Sequence, residues 1–403
     1  MTKMTSPSRR SMLQAGAATA ALGAPGLLLA QPKAVKVGLV HPVSGALAYS
    51  GSQSRMGAQM AIDEINAAGG IKAMGGAKLE ALLGDSQSRP EIGVSEVERM
   101  QQDGVSAYVG CFSSAIALPA TQAAAKYGTP FLIDVGVSDA IVSRGLKNVF
   151  RLAPGNGKCV DDAFMGLDSI NKGGAAKSVV IVHEDSEFGT STAKKLADKF
   201  GGIRLEVKDT LKHATPTRDF SNLVLRIKSL KPDIVMMSNY QNEYVLLSRT
   251  LYQQKVELAG IFSVLGGGFN FKFLKEAPDV MQYMMDFNHW YNPKSPKAQA
   301  QRKAVEAKGG LYTFEVYCSY NSVMCYADAL ERAASADKAK AIAALETSTW
   351  TPELMPYGPT KFVNGQNTGA RAALLQASKD SIDVIWPDEV ASTKAVFPRP
   401  KRS

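Results

Sequence analysis

Serine hydroxyls and free backbone amides occur together at two points of the chain, in a pattern that can bind an anion. Ser113 and Ser114 lie between a β-rich run that ends at Val109 and a helical stretch. Unpaired N–H groups at a helix start favour negative charge, and a serine there can turn its hydroxyl to a ligand. A second loop contains Gly136, which permits close backbone approach, and Ser138. Both loops are candidates for holding a carboxylate, although helix capping and a turn explain them equally well in isolation.

Aromatic side chains and a further hydroxyl follow other β-rich runs. Tyr49 stands among small residues, where it could close over a solute or remain a half-buried surface aromatic. Phe188, Tyr240 and Ser263 each come shortly after a predicted strand. Ligand cavities combine apolar walls with a few convergent polar groups, so these residues suit a small and partly apolar ligand.

Patterns for catalysis, metal binding and nucleic-acid binding are absent from the sequence. It holds four histidines, of which His183 follows a strand and could reach a cleft. No Gly-x-Ser-x-Gly elbow or metal-spaced cluster accompanies it, and the glycine run 266–268 lacks the Gly-Lys-Ser/Thr of a phosphate loop. The basic residues are scattered instead of forming a patch. We therefore expect a binding protein and not an enzyme, with no cofactor, no metal and no nucleic-acid partner.

The cysteines give no disulfide or zinc pattern. Cys318 and Cys325 are seven residues apart on one predicted helix, and a rise of about 10 Å exceeds the reach of a disulfide. We expect each of the four cysteines to be a buried small hydrophobe; they are Cys111, Cys159, Cys318 and Cys325.

Two series of alternating strands and helices position these residues. The first covers residues 35–135 and the second covers residues 178–262. Such alternation predicts βαβ units and a parallel sheet covered by helices. Because ligands bind beyond the carboxyl ends of parallel strands, we predict an α/β fold of two doubly wound parallel-sheet lobes that face each other across a cleft. The loops expected to border the cleft are 42–52, 111–115, 134–139, 184–188, 239–242 and 262–268.

The N-terminus has the composition of an export signal. Arg9 and Arg10 precede a small, weakly apolar stretch that ends near Ala30. This arrangement matches a twin-arginine signal peptide, and its glycines and proline set it apart from the ~20 strongly apolar residues of a membrane span. We predict cleavage near Ala30 and a periplasmic mature protein. The formal net charge would fall from +9 to +6, because Lys3 is removed with the two arginines and no acid is.

A series of short segments spans nearly the whole predicted mature chain. Its members are 35–40 with Pro42 and Ser44-Gly45, 57–58, 61–66, 69–71, 127–130, 149–151, 184–189, and 320 with 330–332. This series closely resembles the leucine/isoleucine/valine-type periplasmic substrate-binding proteins of ABC transporters. The resemblance is specific for the family and unspecific for the ligand.

The resemblance implies the type I periplasmic-binding-protein fold, with a three-strand hinge that closes on a solute. It also implies a monomer that docks onto an ABC permease in the inner membrane. We accordingly expect a first lobe of residues 31–154 and 284–360, and a second lobe of residues 155–283 and 361–403.

The resemblance also implies a set of contacts with the ligand. By position, Tyr49, Ser114 and the backbone of 136–138, which includes Val137, correspond to contacts from the first lobe. Ser114 falls where the family binds a carboxylate. Phe188 and Tyr240 correspond to contacts from the second lobe.

One departure from the family pattern bears on the ligand. Amino-acid binders carry an acid after the strand that ends near residue 262, whereas residues 262–264 here are Phe, Ser and Val. An ammonium group enclosed without a counter-charge is costly. An uncharged amide or a carboxylate, aromatic in view of Phe188, Tyr240 and Tyr317, therefore competes with an amino acid as the ligand. Substitutes for the missing acid would have to come from Glu187, Glu243 or Glu315. A periplasmic ligand sensor of the same fold and a hydrolase remain alternatives to transport.

Overall fold

The computed structural model describes residues 33–203 and 205–401. The predicted signal peptide and its cleavage point lie outside this part of the chain. Within the two described ranges, no helix combines the length and the apolar character that crossing a bilayer requires.

Strands and helices alternate along most of the chain. The strands are β1 (Val35–His41), β2 (Leu79–Asp85), β3 (Ala107–Gly110), β4 (Phe131–Ile133), β5 (Val149–Arg151), β6 (Ser178–Glu184), β7 (Glu206–His213), β8 (Ile234–Ser238), β9 (Gly260–Val264), β10 (Met285–Asn288), β11 (Phe362–Val363), β12 (Gln366–Asn367), β13 (Ala373–Ala377) and β14 (Ile382–Trp386). The helices are α1 (Ala48–Ala67), α2 (Pro90–Gln102), α3 (Ser114–Ala125), α4 (Ala140–Ser143), α5 (Asn156–Ile170), α6 (Glu187–Phe200), α7 (Ser221–Leu230), α8 (Gln241–Gln253), α9 (Phe271–Glu276), α10 (Pro278–Met281), α11 (Pro296–Ala307), α12 (Phe314–Ala333) and α13 (Lys338–Glu346). Short 3₁₀ turns occur at Lys72–Met74 and Gly201–Ile203.

The strands form two seven-stranded sheets, one in each lobe. The first has the order β11-β12-β5-β4-β3-β1-β2 and the second has the order β14-β13-β10-β9-β8-β6-β7. The pairs from β1 to β5 and from β6 to β10 are parallel. Every residue of β6 is buried, because a parallel sheet is covered by helices on both faces. The predicted α/β fold with two doubly wound lobes is confirmed.

Antiparallel strands extend one edge of each sheet, and the sequence did not reveal them. β11 pairs antiparallel with β12 in the first sheet, and β13 pairs antiparallel with both β10 and β14 in the second. These strands come from the last part of the chain, where no helix-strand alternation marks them.

The chain crosses between the sheets three times, between β5 and α5, between β10 and α12, and between β12 and β13. Strand pairing differs from the predicted lobe ranges at two places. Residues 285–287 pair with β9 in the second sheet, although 284–360 was expected in the first lobe. Residues 362–367 belong to the first sheet, because β12 pairs with β5, although 361–403 was expected in the second lobe. The division of the remaining residues stays a prediction.

All four cysteines are buried and none forms a disulfide. Burial raises the pKa of the Cys111, Cys159 and Cys318 thiols well above the ordinary value. These side chains therefore contribute to packing, as expected.

A buried carboxylate joins the cleft end of the first sheet to α12. Asp134 follows β4 and is fully buried, with one oxygen 2.9 Å from His41 Nε2 and 2.6 Å from the Ser319 hydroxyl that donates to it. Its other oxygen accepts the backbone N–H groups of Phe112 at 3.1 Å and Val135 at 2.7 Å. Burial by itself raises the pKa of Asp134, but the hydrogen bonds and the attraction of His41 outweigh burial and lower the pKa below its ordinary value.

We expect the substitution Asp134→Ala to lower the free energy of unfolding by about 3 kcal/mol or more, because it leaves buried donors without an acceptor. Chemical denaturation at neutral pH measures the loss. Asp63→Ala is the control, because it removes an exposed carboxylate that accepts only one side-chain hydrogen bond, from Gln59, and it should change stability by about 0.5 kcal/mol or less.

The stabilisation that the Asp134 carboxylate provides should also depend on pH. Because the folded-state pKa of Asp134 is depressed, its stabilisation is present above the ordinary value of 3.8 and is lost as the pH falls through the folded value. The difference between wild type and Asp134→Ala should therefore shrink as the pH falls below 3.8 toward the depressed folded-state pKa. An equal stability of the two proteins at neutral pH would contradict the stabilising role of this carboxylate.

Candidate ligand-binding cleft

A cavity lies between the two lobes at the carboxyl ends of their parallel strands. About 350 Å³ of space is unfilled by atoms there, and part of it opens to solvent. The first lobe contributes Phe112, Ser114, Val135, Val137 and Phe314 to the wall. The second lobe contributes Phe188, Tyr240, Leu265, Gly267, Asn288 and His289.

Four of the predicted site residues line this cavity: Ser114, Val137, Phe188 and Tyr240. Three others occupy the same loops beside it, and these are Ser113, Gly136 and Ser138. Tyr49 lines an adjoining pocket of about 390 Å³, which shares Tyr240 with the main cavity.

Ser263 and Tyr317 do not line the cavity. The Ser263 hydroxyl, on β9, donates to the hydroxyl of Tyr244, on α8, at 3.3 Å within the second lobe. The Tyr317 hydroxyl donates to the backbone carbonyl of His289 at 3.1 Å. Tyr317 therefore supports the wall from behind instead of forming it.

Sequence reasoning missed seven residues of the wall. Phe112, Val135, Leu265 and Gly267 lie in loops that were expected to border the cleft, but neither charge nor a hydroxyl singled them out. Asn288 and His289 lie at the carboxyl end of β10. The rule that ligands bind beyond the carboxyl ends of parallel strands, called the strand-end rule below, would have found both residues had it been applied to that strand. Phe314 begins α12, and no strand precedes it closely.

Four helices begin at the cavity, and their N-terminal amides carry partial positive charge. Ser114 and Phe314 open α3 and α12, Phe188 is in the first turn of α6, and Tyr240 immediately precedes α8. The first turns of α6, α8 and α12 each contain a glutamate, whereas the first turn of α3 contains no acid. The start of α3 is therefore the position where these helices best accommodate an anion.

The loop after β4 presents its amides to this helix start. The Ser114 hydroxyl oxygen accepts the N–H groups of Val137 at 3.2 Å and Ser138 at 3.1 Å. A carboxylate placed between them would accept the same two N–H groups, and the serine hydroxyl would rotate to donate as well. The arrangement thus offers three donors to an anion.

A buried guanidinium fixes the opposite side of that loop. Arg151 is fully buried and donates to the backbone carbonyls of Ser138 at 2.7 Å and Gly136 at 3.4 Å, and to the carboxylate of Asp139 at 3.1 Å. The Gly136 carbonyl and the Val137 N–H belong to one trans peptide and point in opposite directions, so the carbonyl that faces Arg151 turns the Val137 amide toward Ser114. The Ser138 amide is turned the same way because the Val137 carbonyl accepts the Asn156 N–H at 2.7 Å. The arginine thus positions the donors and adds positive charge behind them.

Three polar contacts join the lobes at the rim of the cavity. The hydroxyls of Ser113 and Tyr240 are 3.3 Å apart, and the Ser138 hydroxyl donates to Glu187 at 2.6 Å. The Lys195 ammonium lies 3.1 Å from the Asp139 carboxylate. Each pair takes one residue from each lobe, so the contacts depend on the lobes being close.

No charged side chain lines the cavity among the residues that the structure describes. Asp286 is nearby, but it is buried and accepts hydrogen bonds from the Gly266 amide and the Asn288 side chain. Burial raises the pKa of Asp286 to about 7, against the opposing effect of its hydrogen bonds. Burial likewise raises the pKa of Glu315 to about 7. Of the other candidate acids, Glu187 is bonded to Ser138 and Glu243 accepts the Thr217 N–H.

The described residues also contain no group of three or more His, Cys, Asp or Glu side chains able to hold a metal ion. The cavity wall is thus built from rings, aliphatic groups and uncharged polar groups alone.

Comparison with known proteins gives a consistent set of relatives. A family model described as periplasmic binding protein matches residues 34–381. A Leu/Ile/Val-binding protein of Rhizobium johnstonii is 32% identical over 346 residues, which cover 83% of this chain and 90% of the relative. A Leu/Ile/Val-binding protein homolog of Brucella abortus is 28% identical over 407 residues, which cover 96% of this chain and 97% of the relative.

Solved structures share the fold. A branched-chain amino acid transporter substrate-binding protein of Streptococcus pneumoniae, in complex with isoleucine, has a TM-score of 0.76 at 22% identity, over 91% of this chain and 100% of that chain. An ABC-transporter solute-binding protein of R. palustris, in complex with benzoate, has a TM-score of 0.77 at 20% identity, over 90% of this chain and 99% of that chain.

We expect the substitution Arg151→Met to release the loop at residues 136–139, because two buried carbonyls lose their donor. Hydrogen exchange followed by mass spectrometry should show exchange of the Val137 and Ser138 amides that is faster by about tenfold or more. Arg226→Met is the control, because Arg226 is an exposed partner of Asp209 on the far part of the second lobe. Unchanged exchange in Arg151→Met would mean that the loop holds its shape without the arginine.

Proposed function

Because the chain belongs to the periplasmic binding protein family, in its Leu/Ile/Val-type branch, we propose that it captures a small carboxylate with an apolar body between its lobes. It then delivers this solute from the periplasm to an ABC permease. One observation carries the proposal: the cavity has a helix start with three convergent donors at one side, rings around it, and no charged side chain among its described lining residues.

The donors suit a carboxylate. The start of α3, the two loop amides and the Ser114 hydroxyl together can form charge-assisted hydrogen bonds, which are stronger than those to a neutral group. Arg151 adds a positive charge behind the loop without entering the cavity. An anion is thus stabilised by several groups that are already fixed in place.

The rings suit the apolar part of the solute. Tyr240 lies between two phenylalanines, with ring centroids 5.9 Å from Phe112 and 5.3 Å from Phe188. Aromatic groups in contact at such distances provide a large apolar surface of fixed shape. Both an aromatic ring and a branched aliphatic chain would bury apolar area against it.

An α-amino acid is the competing solute, because the curated relatives are named for leucine, isoleucine and valine. Its ammonium group would meet no carboxylate on the wall. Asp286 and Glu315 are buried acids, and the pKa of each is raised to about 7, so each is partly protonated at neutral pH. Enclosing a cation beside neutral groups costs free energy, which favours a solute without an ammonium.

Capture requires the lobes to move. In an open form the solute binds first to Ser114 and the loop amides of the first lobe. Rotation at the three crossovers then brings Phe188 and Tyr240 over it and excludes water. The rim pairs, such as Ser138 with Glu187, form only at this stage and stabilise the closed form. The permease would recognise the surface that both lobes present together.

A thermal-shift screen of the mature chain tests the solute class. The panel consists of benzoate, 3-methylbutanoate, leucine, valine and acetamide. A ligand at 100 times its dissociation constant should stabilise the folded protein by about 2.7 kcal/mol. We expect the carboxylates to stabilise the protein and leucine and valine to do so less. Small-angle scattering with the best carboxylate should then show a smaller radius of gyration, because the lobes close.

Two results would contradict the proposal. Stabilisation by leucine or valine beyond that of the carboxylates would require a counter-charge for the ammonium at the wall. A radius of gyration that stays constant at saturating ligand would exclude closure of the lobes as the binding mechanism.

We expect the substitution Ser114→Ala to weaken binding of the carboxylate by about 1.5–3 kcal/mol, because one hydrogen bond to a charged group is lost. Isothermal titration calorimetry measures the change. Ser95→Ala, on the exposed face of α2, is the matched control and should bind as the wild type does. Equal affinity of Ser114→Ala and wild type would move the anion away from the start of α3.

A further inference from the structure

We infer that His289 forms a hydrogen bond with a second, uncharged group of the solute, so that the natural ligand is a carboxylate that also carries a hydroxyl. This inference rests on the proposed function, namely that the cleft binds a carboxylate. It specifies which carboxylates the cavity selects.

His289 is a fully buried imidazole on the cavity wall. Neither of its ring nitrogens has a hydrogen-bond partner within the protein. Buried polar atoms are nearly always paired, and an unpaired one lowers stability. The ring nitrogens of His289 are therefore available to form hydrogen bonds with a group that enters the cavity.

The backbone around His289 is held firmly while the ring is not bonded. Its N–H donates to the Asn288 side-chain oxygen at 2.7 Å, and its carbonyl accepts the Tyr317 hydroxyl at 3.1 Å. The ring itself meets the edge of Phe314, with centroids 6.0 Å apart. The fold thus fixes the position of this imidazole and leaves its polar atoms to the ligand.

The imidazole is uncharged. Burial lowers the pKa of His289 to about 3, and the positive charge of Arg151 lowers it further in the same direction. A neutral imidazole has one nitrogen that donates and one that accepts. It can therefore both donate to and accept from a solute, and it adds no positive charge to the donors that surround Ser114.

A hydroxyl is the group that fits these conditions. It can donate or accept, so it pairs with whichever ring nitrogen faces the cavity. The positive charge of Arg151 that disfavours protonation of His289 also disfavours an ammonium in the same place. Because Ser114 and His289 line one cavity from different lobes, one solute can contact both.

The test compares carboxylates with and without a hydroxyl by isothermal titration calorimetry of the mature wild-type chain. The probes are benzoate with its three monohydroxy isomers, and 3-methylbutanoate with its 2-hydroxy and 3-hydroxy derivatives. We expect at least one hydroxylated probe to bind about tenfold or more tightly than its parent, since a site with a fixed polar partner discriminates against the analogue that lacks it.

Variants assign that preference to the imidazole. His289→Phe keeps a ring without a polar atom, and we expect it to abolish the ratio of affinities between the hydroxylated probe and its parent, whatever it does to the affinity for the parent itself. His289→Gln retains a donor and an acceptor and should restore part of the preference. Thermal melting of each variant checks that it folds.

The outcomes separate the inference from the function on which it rests. If unsubstituted carboxylates bind wild type and none of the hydroxylated probes binds more tightly, the inference fails and the proposed function stands. The inference also fails if His289→Phe folds and keeps the preference. If no carboxylate of either kind binds, the proposed function itself fails. The wild-type comparison is decisive even if both variants do not fold.

Discussion

The carboxylate of Asp134 fixes the part of the cavity wall that the first lobe contributes. It accepts hydrogen bonds from the backbone of Phe112 and Val135, both of which are also part of the cavity wall. It also contacts His41 at the end of β1 and Ser319 on α12. A buried charge is tolerated only where its hydrogen bonds are complete, so this contact tolerates little displacement. The first-lobe half of the cavity is therefore fixed before any solute arrives, and the loop held by Arg151 extends the same rigid surface.

The two lobes divide the work of recognition between them. The first lobe supplies the donors for an anion, with Ser114 and the Val137 and Ser138 amides close together. The second lobe supplies the aromatic rings of Phe188 and Tyr240. It also supplies the uncharged polar side chains of Asn288 and His289 at the end of β10. Charge attracts a solute over a longer range than apolar contact does. On the function proposed above, a solute is thus oriented by its carboxylate first, and the rest of its shape is tested only as the lobes approach.

The sequence was sufficient for the fold class and for the loops that border the cleft, because strand-helix alternation and the strand-end rule depend on local patterns. It was not sufficient for the direction of single side chains. Ser263 and Tyr317 have the chemistry of ligand-binding residues, yet their hydroxyls bond within the protein. His289 was missed because the strand-end rule was not applied to β10, whose carboxyl end it follows. The edge strands were also missed, since β13 pairs with β10 across a long separation in sequence that no pattern of neighbouring residues encodes.

The three crossovers have a consequence for folding of the protein during its synthesis on the ribosome. Neither sheet is built from one continuous stretch, because β11 and β12 complete the first and β13 and β14 complete the second. Nearly the whole chain must therefore emerge before either edge can close, and long-range pairings of this kind form late. A nascent chain that stops before residue 362 would lack the last strands of both sheets at once. Incomplete translation products would then expose two open sheet edges, which makes them recognisable to proteases and chaperones.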